Sequence, residues 1–112
     1  MTIQTEMFPP LVQPDKKRFT TIQSRFEQFH KLNPWVYKTL CTLARTMLVK
    51  GHQKIGVKMI WEVLRWHYYQ QTVDVNRDFK LNNNYHAHYA RLIMAQEPDL
   101  KGIFETRKLT AA

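Results

Sequence analysis

Apolar residues recur at helical spacing in four segments of the chain, and turn-forming residues separate these segments. In the first segment, Ile22, Phe26 and Phe29 fall at i, i+4 and i+7, which places them on one face of a helix. Polar residues occupy most of the intervening positions. The pattern predicts a first helix over about residues 21 to 30, with this apolar face turned toward the core.

The second and third segments predict longer helices. Asn33 is a favoured N-cap and Pro34 suits the first helical position, so a helix is expected over residues 34 to 50, with Gly51 at its end. Its expected buried face is Val36, Leu40, Leu43, Ala44 and Met47. A third helix is expected over residues 57 to 70. Its expected buried stripe is Val57, Ile60, Trp61, Leu64 and Tyr68, widened by Met59, Val63 and Trp66.

A fourth helix is predicted over residues 85 to 96, and Pro98 ends it. Its expected inner face is Tyr85, Tyr89, Leu92 and Ile93. Its outer face repeats polar side chains at i, i+4 and i+7: Asn84, His88 and Arg91. Asparagine tolerates left-handed backbone and caps helices, so the run from Asn82 to Asn84 serves either as a turn with a cap or as ligand contacts.

The remaining segments predict a minor β component and an arm. Residues 71 to 81 suit a short strand or an ordered loop, and residues 100 to 109 suit a short basic strand. Residues 1 to 18 contain three prolines and predict an extended N-terminal arm, ordered or disordered. Residues 19 to 112 are then one domain. The order of elements predicts a mainly α fold of winged helix-turn-helix type.

Charge is distributed unevenly along this chain of 112 residues, whose net charge is +8. The stretch from Gln28 to Trp61 contains no acid, yet it contains six cations: Lys31, Lys38, Arg45, Lys50, Lys54 and Lys58. Stretches of one sign create a positive field that attracts polyanions. The charge favours nucleic acid, an anionic membrane or an acidic protein surface as partner, or it serves solubility alone.

The winged helix-turn-helix interpretation assigns a double-stranded DNA site. The reading helix on this mapping is residues 84 to 96, which are expected to enter the major groove, where Asn pairs with adenine and Arg with guanine. The expected base-reading side chains are Asn83, Asn84, His86, His88 and Arg91. The expected phosphate contacts are Lys54, Lys58, Lys80, Arg107 and Lys108.

Aromatic residues make up 12% of the chain and are interleaved with basic ones. Such aromatics stack unpaired bases in some proteins, but at helical spacing in a small domain they are more often core residues. Tyr37, His67 and Tyr69 are expected to be the most exposed of them.

Catalytic and metal-binding signatures are absent from the sequence. It has no Gly-rich phosphate loop with lysine, no nucleophile elbow and no paired acids at nuclease spacing. His86 and His88 lie two apart, a spacing that does not suit a metal site on a helix. Cys41 is the single cysteine and suits a core position in a reducing cytosol. We therefore expect a non-enzymatic protein without cofactor or metal.

Targeting signals are also missing from the sequence. The first residues lack the basic start and apolar run of a signal peptide. No apolar stretch approaches the roughly 18 residues that span a membrane. We expect a cytoplasmic protein that does not bind membrane, and the sequence leaves its oligomeric state open.

Several segments carry a resemblance to a known family. They are FHKLNPWVY (Phe29 to Tyr37), IGVKMIWEVLRW (Ile55 to Trp66), FKLNNNY (Phe79 to Tyr85), YARLI (Tyr89 to Ile93) and EPDL (Glu97 to Leu100). Residues 29 to 109 thus resemble a family of small bacteriophage and bacterial proteins with no established activity. The resemblance implies a phage or prophage setting in a bacterial host. It also implies a structural or functional role for Glu62, Arg65, Asn82 to Asn84 and Arg91.

That setting supplies two further hypotheses. Small phage proteins often bind a host enzyme or defence complex, so the chain is alternatively an inhibitor or adaptor for a host protein. Such a protein is expected to expose an apolar or aromatic patch, whereas a DNA binder concentrates cations around its reading helix. A structural virion component is the third hypothesis.

Overall fold

Four α-helices make up most of the structure, a computed structural model that describes residues 9, 11 to 71 and 85 to 105. In chain order they are α1 (Ile22–Leu32), α2 (Pro34–Val49), α3 (Val57–Gln71) and α4 (Tyr85–Gln96). A 3-10 helix, Pro98–Leu100, follows α4. The predicted mainly helical small domain is confirmed, and every predicted helix end lies within two residues of the observed one.

Helix α1 begins with a reciprocal cap. The Ser24 amide donates to Thr21 Oγ1 at 3.1 Å, and the Thr21 amide donates to Ser24 Oγ at 3.2 Å. These bonds satisfy amide groups that a helix start otherwise leaves unpaired. Phe26 and Phe29 are buried as predicted, but Ile22 is 43% exposed, because it lies in the first turn beyond the core.

Asn33 occupies the N-cap position of α2, as predicted, but it does not cap the helix through its side chain. Its side chain makes no capping hydrogen bond; it is fully buried and bonds the main chain of Val12 instead. Its Nδ2 also donates to Phe29 O at 3.0 Å. Pro34 occupies the first turn of α2, where its missing N–H leaves no bond unmade. The α1–α2 junction is therefore an anchor for an earlier segment of the chain.

The described part of the predicted arm lies against the helices. Besides the Asn33 contacts, the Leu11 amide donates to Tyr68 Oη at 3.0 Å, and Pro14 is buried. Farther along, Arg25 Nε in α1 donates to Phe19 O at 2.7 Å, which ties the residues just before α1 to that helix. Residues 11 to 14 therefore bridge the α1–α2 junction and the end of α3.

The turn from α2 to α3 contacts the end of the described chain. Gly51 has φ +96° directly after α2, a conformation that glycine adopts without strain. Ile55 N donates to Ile103 O at 2.8 Å, and Glu105 N donates to Ile55 O at 3.2 Å. These bonds form an isolated parallel bridge between Ile55 and Phe104.

That bridge corrects the predicted strand over residues 100 to 109. Within the described residues the segment begins as the 3-10 helix and then makes one bridge, so a wing hairpin is not present there. Residues 106 to 109 lie outside the described part, as do the predicted strand or loop at 72 to 81 and the Asn82 to Asn84 run. The winged helix-turn-helix form is not confirmed.

The core forms where the helices meet. Helix α2 lies against α1, α3 and α4, and α3 lies against α4. The largest fully buried side chains include Trp61, Tyr89, Phe29, Leu40, Leu64 and Ile93. The predicted stripe of α3 was too wide, because Met59 is 45% exposed and Trp66 is 58% exposed. In the part of the chain that the structure describes, no helix has the length and apolar character to cross a membrane.

Candidate nucleic-acid interface

The predicted DNA site is described for half of its residues. Lys80, Asn83, Asn84, Arg107 and Lys108 lie outside the described residues. The other five lie in two places. Lys54 is in the α2–α3 turn and Lys58 is at the start of α3. His86, His88 and Arg91 are on α4. These two groups have different surroundings and are described in turn.

Five exposed basic residues lie on the α2–α3 turn, at the start of α3 and on the segment after the 3-10 helix. We call them the basic turn surface: Lys50, His52, Lys54, Lys58 and Lys101, all exposed. Lys54 Nζ donates to Gly102 O at 2.7 Å, and the Ile55–Phe104 bridge continues the same contact. The Gly102 carbonyl accepts one hydrogen bond from the Lys54 ammonium group, which keeps its positive charge. Glu105, also exposed, is the acid that borders this surface.

Arg45, counted among the cations of the acid-free stretch, belongs to a separate cluster. Its Nη2 lies 2.5 Å from Glu97 Oε1, and its Nε lies 2.8 Å from Asp99 Oδ2. A second bond from Nη2 to Asp99 Oδ1, at 3.1 Å, makes the Asp99 contact bidentate. Tyr37 Oη donates to the other oxygen of Glu97 at 2.9 Å.

This cluster accounts for charges that the sequence left unpaired. Hydrogen bonds from Arg45 hold the pKa of Glu97 and of Asp99 below their ordinary values. Burial, followed by the bond to Glu97, raises the pKa of Tyr37. Arg45 is consequently neutralised by its neighbours and adds little to a field aimed at an external polyanion. Glu97 and Asp99, which lie close to Lys101 in sequence, are likewise paired with Arg45.

The histidines of α4 are less exposed than predicted, since both are partly buried. The His88 ring stacks on Phe26, with centroids 4.9 Å apart and planes at 30°. His86 is half-buried, and its ring meets Trp61 edge-on at 6.4 Å. Burial, with Lys58 as a further cause, lowers the pKa of His86. Both histidines face neighbouring helices because α4 is covered on two sides, and this corrects the assignment of His86 and His88 as exposed contacts.

Arg91 remains the exposed described residue of the predicted reading face. It makes no ion pair with Glu97 or Glu62 within the described residues, because Glu97 pairs with Arg45 and Glu62 with Arg65. The His86 ring lies 6.4 Å from the ring of Trp61, one turn beyond Lys58, so the first turn of α4 lies close to the start of α3. The basic turn surface and the N-terminal end of α4 are therefore neighbours.

The outward side of α3 carries aromatic rings that the sequence assigned partly to the core. Trp66 is 58% exposed and Tyr69 is 43% exposed. Arg65 Cζ lies 5.8 Å from the centre of the Tyr69 ring, and Arg65 Nη1 lies 3.7 Å from Glu62 Oε2. Trp35 lies elsewhere, stacked on Tyr68 at 5.8 Å. Helical periodicity placed Trp66 in the wide apolar stripe of α3. It did not show which edge of that stripe the other helices cover.

Cys41 is the one nucleophilic thiol of the chain, and its position does not suit catalysis. The side chain is buried in α2, and burial raises the pKa of its thiol, which disfavours the reactive thiolate. Among the described residues, no group of three or more His, Cys, Asp and Glu side chains is placed to hold a metal ion.

Comparisons with known proteins found no match from which a family or function could be assigned. No protein-family model, no curated protein and no solved structure matches the chain. The resemblance to small bacteriophage proteins therefore stays an expectation.

Proposed function

We propose that this protein is a non-enzymatic nucleic-acid binder that captures phosphates on the basic turn surface. The supporting observation is the Ile55–Phe104 bridge, together with the bond from Lys54 to Gly102. These contacts hold Lys101 beside the lysines of the α2–α3 turn, although the two segments are far apart in sequence. Exposed lysines that converge in this way neutralise phosphates and release counterions.

The surrounding charges favour this surface over a general basic coat. Residues 28 to 61 contain no acid, and Arg45 already pairs with Glu97 and Asp99. The lysines of the basic turn surface thus keep their charge for an external ligand. Arg107 and Lys108 follow Glu105 directly in sequence and extend the basic character of the segment.

The finer proposal is double-stranded DNA, with α4 directed toward the groove in the manner of a winged helix-turn-helix. Its support is the contact of His86, in the first turn of α4, with Trp61 near the start of α3, together with the exposure of Arg91. Because His86 and His88 contact neighbouring helices, base reading in this proposal falls to Arg91 with Asn83 and Asn84. A bacteriophage or mobile-element setting in a host cytoplasm belongs to the same proposal.

Fluorescence anisotropy with a duplex of about 25 base pairs, at about 50 and 200 mM salt, tests phosphate capture. Wild-type affinity should fall steeply with salt. The triple variant Lys54→Gln, Lys58→Gln, Lys101→Gln should weaken binding on the order of tenfold or more at low salt. It should also reduce the slope of log affinity against log salt by about 2 to 3, or about 0.9 for each lost contact.

A matched triple variant separates this surface from net charge. Lys16→Gln, Lys31→Gln and Lys38→Gln remove the same charge from exposed positions outside the basic turn surface. They should weaken binding much less. Equal losses in the two triples would show that binding follows net charge and not this surface. Absence of wild-type binding at low salt would refute the nucleic-acid proposal.

A second candidate function is the inhibitor or adaptor that binds a host protein. The observation that favours it is exposed apolar surface: Val49 is 86% exposed and Met59 is 45% exposed. Apolar side chains of this size stabilise protein interfaces when a partner covers them. Co-purification of one host protein with the wild type but not with Val49→Ser, Met59→Ser would support this function.

A further inference from the structure

The outward side of α3 presents two aromatic rings side by side. Trp66 and Tyr69 are three residues apart on the helix, so their side chains are neighbours on its surface, about 5 to 6 Å apart at Cβ. Their exposed fractions, 58% and 43%, contrast with Trp61 on the buried side of the same helix, which is 1% exposed. The helix thus has one buried aromatic side and one exposed aromatic side.

Cations accompany the exposed rings. Arg65 lies over the Tyr69 ring, with its Cζ 5.8 Å from the ring centre. Lys58 is exposed at the other end of α3, in its first turn. Glu62 is the acid on this side, and it lies 3.7 Å from Arg65. Lys58 also belongs to the basic turn surface, so the aromatic rings and the proposed phosphate contacts form one continuous strip. About 16 Å of helix separates Lys58 from Tyr69 at 1.5 Å per residue.

We propose that this strip binds single-stranded nucleic acid by stacking unpaired bases on Trp66 and Tyr69. Lys58 and Arg65 would hold the phosphates between the stacked bases. This inference rests on the proposed phosphate capture by the basic turn surface. An aromatic ring needs a free base face, and in a duplex the neighbouring base pairs cover those faces. The strip therefore predicts tighter binding to single strands than to duplexes of equal length.

Tryptophan emission reports the stacking directly. Trp61 is buried and Trp35 is partly buried against Tyr68, whereas Trp66 is exposed. Titration with a thymidine oligonucleotide of about twelve residues should quench the emission of Trp66. An abasic oligomer with the same number of phosphates should bind more weakly and leave the emission nearly unchanged. Trp66→Ala should abolish the quench.

Affinity of the same oligonucleotide gives the second readout. Trp66→Ala and Tyr69→Ala should each weaken binding on the order of tenfold, while Trp66→Phe, which keeps a ring, should lose much less. Met59→Ala is the matched control, because it removes exposed apolar surface from the same helix without removing a ring. Its affinity should equal that of the wild type, and circular dichroism should show that every variant keeps its helices.

The outcomes separate this inference from the proposed function. If the abasic oligomer binds as tightly as the thymidine one, and Trp66→Ala binds as the wild type does, stacking is wrong while phosphate capture stands. If neither oligomer binds at low salt while the duplex does, stacking is wrong and phosphate capture stands. If the duplex also fails to bind, both proposals are wrong. If Met59→Ala and Trp66→Ala weaken self-association or host-protein binding and leave oligonucleotide affinity unchanged, the strip docks protein and the stacking proposal is overturned.

Discussion

The side chain of Asn33 bonds both polar groups of the Val12 main chain. The Val12 amide donates to Oδ1 at 2.9 Å, and Nδ2 donates to the Val12 carbonyl at 2.8 Å. Asn33 is fully buried and both bonds are partly buried, so water replaces them poorly when the Asn33 side chain is removed. Asn33 therefore anchors Val12 of the N-terminal arm at the α1–α2 junction, beside the bond from Leu11 to Tyr68.

Asn33→Ala should lower the free energy of unfolding by about 1 to 3 kcal/mol, because the partly buried main chain of Val12 loses two hydrogen bonds and Phe29 O loses one of its two. Urea denaturation measures this loss. Hydrogen exchange should also accelerate at the Val12 amide. In the control variant Tyr68→Phe, exchange should accelerate at the Leu11 amide, which donates to Tyr68 Oη, and not at Val12. Unchanged Val12 exchange in Asn33→Ala would contradict the anchoring role.

Tyr89→Phe should leave stability unchanged or raise it by up to about 1 kcal/mol. The ring is fully buried, and its hydroxyl has no hydrogen-bond partner among the described residues. Removing the hydroxyl keeps the ring packing and removes a buried polar group whose lost hydration no hydrogen bond replaces. Tyr68→Phe should instead destabilise the protein, since its hydroxyl is bonded. A urea midpoint of Tyr89→Phe clearly below that of the wild type would show that the hydroxyl has a partner in solution.

Arg45→Met should destabilise the protein at neutral pH and have less effect in acid. Arg45 lowers the pKa of Glu97 and of Asp99 in the folded state, so in acid the unfolded state binds more protons than the folded state. The stabilisation is present above the unfolded pKa, about 4, and is lost as pH falls through the lowered folded pKa.

Thermal unfolding between about pH 7 and pH 2.5 measures that effect. The difference in Tm between wild type and Arg45→Met should be largest near neutrality and should shrink below about pH 4. Arg65→Met, which removes one looser pair with Glu62 at 3.7 Å, should give a smaller difference. A difference that does not change with pH would argue against the ion-pair cluster as its cause.

Gly51→Ala should lower the free energy of unfolding by about 1 to 2 kcal/mol, because a φ of +96° strains any residue with a Cβ. Gly56→Ala is the matched control. An added Cβ meets nothing within 4 Å at either glycine, but only Gly51 of the two has a positive φ. Gly56→Ala should therefore be tolerated. Equal urea midpoints for the two variants would mean that the turn after α2 relaxes without cost.

Local spacing was sufficient to predict the helices but not the contacts between them. The i, i+4 pattern of Phe26 and its neighbours lies within one helix, so a short window of sequence contains it. The partner of Asn33 lies 21 residues earlier, and Glu97 lies 52 residues after Arg45. Neither pairing has a sequence signal, so Asn33 was interpreted as a cap and Arg45 as part of an unpaired positive stretch.

The candidate site shows the same limit. Lys54 and Lys58 were singled out by charge, and the structure shows both exposed. Lys101 was missed because the Ile55–Phe104 bridge, which brings it to the α2–α3 turn, joins distant segments. His88 was assigned to the outer face of α4 by its spacing alone. Phe26, which covers its ring, comes from another helix.

The segment from Glu97 to Glu105 also has a kinetic consequence. Its contacts reach back 60 residues to Tyr37, 52 to Arg45 and, from Gly102, 48 to Lys54. Closing loops of that length costs chain entropy before any contact forms, so we expect this segment to join late in folding and to open early in unfolding. Lys101 opens with it. A phosphate chain bound across the α2–α3 turn and this segment would then slow the opening, and bound ligand would lengthen the lifetime of the native state.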